Sequence, residues 1–357
     1  MFNLRSRFLD FFDDFWVRLV DAAVEEVPCA PNVQSEIRTH VEELLTYNLQ
    51  DGKLLRGLGV LEVAQRIRKL QDRPFTSDDF DKAAALGWAV EVLQAAFLVA
   101  DDVMDHSPVR RGKPSWHCKQ GVGLAAVNDA FLLESLAFKA VDIYFDNDPL
   151  HSQITRTIRY VARVTEWGQF LDTIGTQIPP ETMDIGLLHA ITVYKTSYYT
   201  FFLPFCLGLF ATGFSLDTTL KSHIEALTMV LGKLFQIQDD YLDVFGEEKV
   251  VGKTSTDLVE RKCAWPLVCA LDIVQKSENK RELFPKLLGL INDKDVDKLR
   301  NFIHDVGVEK EYLIVQKELR DDLDQKCQDC VDNDSLVLKA VALVCKDFAV
   351  YLSNRVK

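Results

Sequence analysis

Leu93-Gln94-Ala95-Ala96-Phe97-Leu98-Val99-Ala100-Asp101-Asp102-Val103-Met104-Asp105 joins an apolar, helix-forming run to an acidic cluster. The same pattern returns far along the chain, where Leu234-Phe235-Gln236-Ile237-Gln238 precedes Asp239-Asp240-Tyr241-Leu242-Asp243. Positions i and i+4 share one face of a helix. Asp101 and Asp105 therefore point the same way, as do Asp239 and Asp243. Two carboxylates about 6 Å apart, at an effective dielectric of about 20, repel by about 3 kcal/mol. A single acidic cluster of this kind is ordinarily solvated surface. Two of them, each ending a core-like run, call for a cation. Oxygen donors without His or Cys at metal spacing favour a hard ion such as Mg²⁺. Held by few carboxylates, that ion completes its shell with water and substrate phosphates.

The basic residues nearby fit a polyanion. Arg110 and Arg111 follow the first cluster, and guanidiniums grip phosphate oxygens bidentately. Gly52-Lys53-Leu54-Leu55-Arg56-Gly57 lies upstream, and Gly252-Lys253-Thr254-Ser255-Thr256-Asp257 with Arg261-Lys262 lies downstream. Glycine beside lysine lets backbone and ammonium approach a phosphate. Neither stretch has P-loop spacing, which argues against a nucleotide triphosphatase.

With these motifs in order, the chain resembles the trans-isoprenyl diphosphate synthase family from about Lys53 to Lys357, in particular its farnesyl diphosphate synthases. The resemblance rests on two Asp-Asp-x-x-Asp clusters, the first followed by Arg-Arg-Gly and the second preceded by Phe-Gln-x-Gln. It implies three Mg²⁺ ions on Asp101, Asp105 and Asp239, with Asp102, Asp240 and Asp243 in support. It implies an allylic diphosphate clamp of Arg110, Lys195 and Lys253, and an isopentenyl diphosphate site of Lys53, Arg56 and Arg111. Gln94, Thr196, Tyr199, Gln236 and Lys262 match residues that line the family's reaction centre. Arg355 and Lys357 resemble its basic closing tail. A homodimer is implied as well.

Departures from the family pattern carry their own expectations. The isopentenyl stretch usually reads Gly-Gly-Lys-x-Asn-Arg-Gly; here Asp51 replaces the first Gly and Leu55 the Asn. Val356 stands in the basic tail where many members have Arg, and Ser255 where many have Gly. Farnesyl-type members usually carry two bulky residues at the positions of Ala96 and Phe97. Those side chains floor the pocket and stop chain growth. Ala96 lies more than one helical turn before Asp101, on a side chain's path down the cavity below the metals. Its small size leaves room for one further isoprene unit, unless Phe97 or a Phe of Phe201-Phe202 refills the gap. The product is thus farnesyl or geranylgeranyl diphosphate. A terpene synthase that ionises a prenyl diphosphate without coupling is the first alternative, and a non-catalytic helical partner subunit the second.

At 357 residues and 48% hydrophobic content the chain can bury a large core. No Ser/Gly tract, charge block or repeat marks a linker, so one domain over residues 1–357 is expected. Apolar residues recur at helical spacing. Phe11, Phe12, Phe15, Trp16 and Leu19 line one side near the start. Val337, Ala340, Val341, Val344, Phe348 and Tyr351 line another near the end. The expected fold is all-α, a single bundle of about ten or more helices around a central cavity, with the aspartate helices facing each other across it. Thr196 to Leu216 carries no charge over roughly 21 residues. With Pro204, Gly208 and Gly213 inside it, it reads as a buried helix rather than a transmembrane span. The net charge of −13 argues against nucleic acid as a partner. Neither a secretory signal nor an acid-poor transit peptide fits the N-terminus. Eight widely spaced cysteines suit reduced thiols and a cytoplasmic setting. Cys327-x-x-Cys330 lacks a second pair and is expected on a partly exposed helix. His106 and His117 are expected in loop or rim positions.

Overall fold

A computed structural model of the chain describes residues 4–246, 256–293 and 295–353. Fifteen α-helices account for most of the described residues. The chain forms two compact units. One comprises Met1–Tyr160, Tyr199–Ile224 and Asn333–Val344; the other comprises Val161–Tyr198, Glu225–Asp332 and Cys345–Lys357.

The first unit begins with α1 (Arg5–Glu25), α2 (Pro31–Leu49) and α3 (Leu55–Leu70). Its centre is α4 (Ser77–Met104), followed by a small hairpin of β1 (Val109–Arg110) and β2 (Lys113–Pro114), then α5 (Ala126–Phe145). Thr76 caps α4: its hydroxyl accepts from the Asp79 amide, while the Asp79 carboxylate accepts from the Thr76 amide. α4 is apolar nearly all round because it packs against α3, α5 and α8 (Leu203–Ala211). It is long and apolar enough to cross a membrane, with a mean hydropathy of 1.7, but 78% of that window is buried within the fold. Of the expected aromatic face of α1, Phe15 and Leu19 are buried and Phe11, Phe12 and Trp16 are half-buried; Phe8, one turn earlier, is buried as well.

α6 (His151–Gly175) runs from the first unit into the second. α7 (Ile185–Ile191) follows, and then a π-helical segment, Thr192–Phe202. The uncharged stretch is therefore no single long helix. It divides between that segment and the nine-residue α8, every residue of which is buried. α9 (Thr218–Phe245) carries the second acidic cluster. α10 (Thr256–Glu260), α11 (Trp265–Lys276), α12 (Phe284–Asp293), α13 (Val296–Asp305) and α14 (Val308–Val331) complete the second unit's framework. Their core gathers Val244, Trp265, Leu271, Phe302, Ile303 and Tyr312.

α15 (Leu336–Ser353) ends the described chain, with Val337, Ala340, Val341, Val344 and Phe348 buried at the expected spacing. Cys327 and Cys330 depart from expectation. Both are buried rather than partly exposed, because their face of α14 turns toward Cys345, which hydrogen-bonds the Cys327 thiol.

Candidate active site

The first acidic cluster occupies the last turn of α4, where Asp105 is the C-cap and its amide donates to the Asp101 carbonyl at 2.8 Å. The hairpin returns Arg110 to this turn. Its Nε donates to both Asp102 oxygens at 3.0 and 3.1 Å, and its Nη2 reaches Asp102 at 2.5 Å and Asp101 at 3.3 Å. Burial opposes the guanidinium charge. The hydrogen bonds and charge of Asp102, with Asp101 behind, still hold its pKa above the ordinary arginine value. Asp102 is thus committed to Arg110. Asp101 and Asp105 share a face and supply only oxygen, the donor chemistry Mg²⁺ prefers.

The turn of that hairpin is Arg111-Gly112, with φ of 53° and 76°. Two positive φ values are what a two-residue hairpin turn of the right twist requires. They aim Arg111 at the end of α2 and the loop that follows it, where its Nη1 donates to the carbonyls of Asn48 and Gln50 at 3.1 and 3.2 Å. In that loop Asp51 has φ of 64° and Leu54 of 54°. Asp51 stands where the family pattern has Gly, and its left-handed backbone explains the usual residue. Aspartate tolerates this conformation better than most side chains. Lys113 pairs with its carboxylate at 2.5 Å.

Arg56, in the first turn of α3, is buried. It donates to Thr200 Oγ1 at 2.8 Å and lies 4.2 Å from the Tyr199 ring centroid. Its Nε is buried without a hydrogen-bond partner. Glu91 of α4 accepts from the Gly57 amide at 2.8 Å. Burial raises the Glu91 carboxyl above the usual range against the pull of Arg56. Tyr199 meets Phe97 edge to face at 5.5 Å. Gln94 is half-buried, and Ala96 is buried on α4 beside Phe97.

In the second unit, the π-helical segment presents Lys195 and Thr196. An extra residue per turn of this kind is frequent at functional sites. Gly168 of α6 and Gly232 of α9 allow it to pack closely. A Cβ on Gly168 would lie 2.0 Å from the Lys195 nitrogen, and one on Gly232 would lie 2.0 Å from Ser197 Oγ. One turn beyond Gly168, buried Asp172 accepts from Lys195 Nζ at 2.6 Å and pairs with Lys262 Nζ at 3.7 Å. The Thr196 hydroxyl donates to Gln236 Oε1 at 2.6 Å, and Gln236 Nε2 donates to Asp240 Oδ1 at 2.6 Å. The Trp265 amide donates to Asp240 Oδ2 at 2.8 Å. Both Asp240 oxygens are engaged by protein, so Asp240 orients Gln236.

Asp243 Oδ2 accepts from the Asp257 amide at 3.2 Å. Burial, then repulsion from Asp243 and Asp240, pushes the Asp257 carboxyl well above the usual range. A divalent cation beside these carboxylates would relieve that repulsion, so the donor set fits one. Among the described residues no three acidic, His or Cys side chains already form a metal cage.

Asp240 is pushed up to about 7, first by burial, against hydrogen bonds from Trp265 and Gln236 and with added repulsion from Asp239. Between its ordinary value of 3.8 and about 7 the folded chain holds a proton that the unfolded chain has released. This group therefore lowers stability as pH rises through that window. The Asp240→Asn protein should lose less Tm between about pH 4 and 7 than the wild type. Parallel Tm profiles would refute the assignment.

Of the expected site residues, the structure joins Asp101, Asp102 and Arg110; Arg56, Tyr199 and Phe97; Thr196, Gln236 and Asp240; and Lys195 with Lys262. Lys253, Arg355 and Lys357 lie outside the described residues. Asp172 and Glu91 were not anticipated, and Asp257 stood only as the last residue of the downstream basic stretch. The available signal was an acid within an otherwise apolar helical face, as Glu91 is between Val90 and Val92.

The polyprenyl synthetase family model matches residues 38–306. A farnesyl pyrophosphate synthase of Candida albicans is 35% identical over 329 residues, covering 90% of this chain and 91% of that protein. That of Saccharomyces cerevisiae is 36% identical, covering 79% and 80% respectively. A T. brucei farnesyl diphosphate synthase complexed with a bisphosphonate matches with a TM-score of 0.84 at 25% identity, covering 99% of both chains. Sequence and fold agree over nearly the whole length, and this chain is a member of the polyprenyl synthetase family, the trans-isoprenyl diphosphate synthases.

Proposed function

We propose that this prenyltransferase condenses isopentenyl diphosphate with dimethylallyl and then geranyl diphosphate to give farnesyl diphosphate, and that Ala96 permits growth to geranylgeranyl diphosphate. The observation that carries the reading is the π-helical segment, with Lys195 fixed on Asp172 and Thr196 fixed on Gln236. A cation-forming reaction needs such an array: ammonium groups for the departing diphosphate and oriented dipoles for the carbocation.

The reading assigns both acidic clusters to one reaction, the ionisation of an allylic diphosphate. Asp101, Asp105 and Asp239 would hold three Mg²⁺ ions, with Asp102, Asp240 and Asp243 in support. When bound, those ions supply Lewis-acid stabilisation of the leaving diphosphate. Arg110, Lys195 and Lys262 add positive charge, and the family pattern adds Lys253, which lies outside the described residues. Lys53, Arg56 and Arg111 hold isopentenyl diphosphate, with Gln94 and Tyr199 beside them. The allylic C–O bond breaks, the isopentenyl double bond attacks the allylic carbon, and the diphosphate takes the proton that is lost. The family pattern assigns Arg355 and Lys357, which lie outside the described residues, to the same substrates.

The enzyme acts as a cytoplasmic homodimer. Eight free cysteines support a reducing setting. Leu124, Val127 and Phe131 are exposed near the start of α5, as are Trp167 and Phe170 on α6, and such apolar faces suit a second copy.

The test is mass spectrometry of products from Mg²⁺, isopentenyl diphosphate and each allylic starter. Elongated diphosphates support the reading. Hydrocarbons or alcohols without elongation would replace it with a terpene synthase. Ala96→Phe should shorten the longest product by one isoprene unit, and an unchanged product spectrum would remove Ala96 from the pocket floor.

A further inference from the structure

We propose that Arg5 is a positioning residue for isopentenyl diphosphate, acting through the loop that carries Lys53; this rests on the reading of that loop as the isopentenyl site. Arg5 Nη1 donates to the Lys53 carbonyl at 2.7 Å, and its Nη2 donates to the Gly52 carbonyl at 3.2 Å. These are charge-assisted bonds, stronger than neutral ones. The loop needs them. Two non-glycine residues, Asp51 and Leu54, hold left-handed backbone on either side of Gly52-Lys53, and such conformations persist only where surroundings over-determine them.

Three cations share the task. Arg111 takes the carbonyls of Asn48 and Gln50, Lys113 takes the Asp51 carboxylate, and Arg5 takes the next two carbonyls. Arg111 and Lys113 come from the hairpin. Arg5 comes from the opposite direction in sequence, at the first position of α1.

Arg5 acts from a fixed base. Phe8, three residues on and on the same helical face, is fully buried. Its ring fills the space that side chains on Gly57 and Gly87 would occupy: a Cβ on Gly57 would come within 2.5 Å of Phe8 Cζ. The Trp88 indole donates to the Phe8 carbonyl at 3.0 Å, and its ring stacks on Phe8 at 4.6 Å. Gly57 is the residue after Arg56. The helix that supplies Arg5 is therefore seated against the helix that the loop leads into.

Arg5→Met keeps the stem and removes the donors. The isopentenyl diphosphate KM should rise about tenfold, the scale of one lost charged hydrogen bond. The kcat and the geranyl diphosphate KM should stay within about twofold. Arg5→Lys, with one donor group in reach, should restore most of the loss. Amide hydrogen exchange over residues 50–54 should quicken in Arg5→Met, and this readout does not depend on turnover. Unaltered exchange in that loop, or equal rises in both KM values, would overturn the proposal. A wild-type protein that fails to elongate would instead refute the functional reading, and the exchange result would still decide whether Arg5 orders the loop.

Discussion

Replacing Asp101 by Ala should lower turnover by about a thousandfold or more, the scale seen when a key transition-state stabiliser is lost. Asp101 lies in the last turn of α4 with 19% of its side chain exposed, whereas Asp102 is 3% exposed and held by Arg110. The substitution therefore removes an accessible carboxylate and leaves the Arg110–Asp102 pair to fix the hairpin. Helical content should match the wild type by circular dichroism, and added Mg²⁺ should not restore the rate. Activity within tenfold of wild type would take Asp101 out of the proposed metal site.

Gly168→Ala should be the most damaging single methyl in the second unit. Its Cβ would fall 2.0 Å from the Lys195 nitrogen, 2.4 Å from Lys195 Cα and 2.4 Å from the Tyr194 carbonyl carbon. These are backbone atoms, so no rotamer change relieves the clash. Apolar contacts settle near 3.5–4.0 Å, so the segments must part by more than about 1 Å. The cost belongs in the upper range for point substitutions, about 3–5 kcal/mol. Displacing Lys195 and Thr196 by that distance should also cost about a hundredfold in kcat. Gly289→Ala is the control. It lies in α12, where a Cβ meets nothing within 4 Å, and it should stabilise the helix by up to about 1 kcal/mol. Thermal unfolding of both variants checks the contrast.

The apolar runs before the two acidic clusters were legible as helices because hydrophobic spacing is a local property. α4 and α9 form as that spacing predicts, and so does α15. The pairing of charges was legible only where partners are close in sequence, as with Arg110 and Asp102. Asp172 is 23 residues from Lys195, and Arg5 is 48 from Lys53. Those partnerships arise where distant segments meet in the fold, and nothing local announces the meeting. Gly168 and Gly232 illustrate the limit. Each lies in an ordinary helical pattern, and only the neighbouring segment reveals why a side chain is excluded. The π-helical turn was equally hidden, since its composition reads as an unbroken buried helix. Neutral-looking Gln236 acquires its orientation from Asp240, four residues on, but Asp240 acquires its own from the distant Trp265 amide.

That last contact makes the protein its own spectrometer. The Trp265 amide donates directly to Asp240, so any change in the charge of that carboxylate alters the nitrogen and proton chemical shifts of one peptide group. Trp265 follows Ala264, and no other alanine–tryptophan pair occurs in the chain. A sample labelled with carbonyl-¹³C alanine and amide-¹⁵N tryptophan would give a single carbon-coupled resonance, isolated from every other amide. Its position would follow the protonation of Asp240 in the unaltered enzyme, with no probe attached, and adding Mg²⁺ or a diphosphate would test whether either binds beside it.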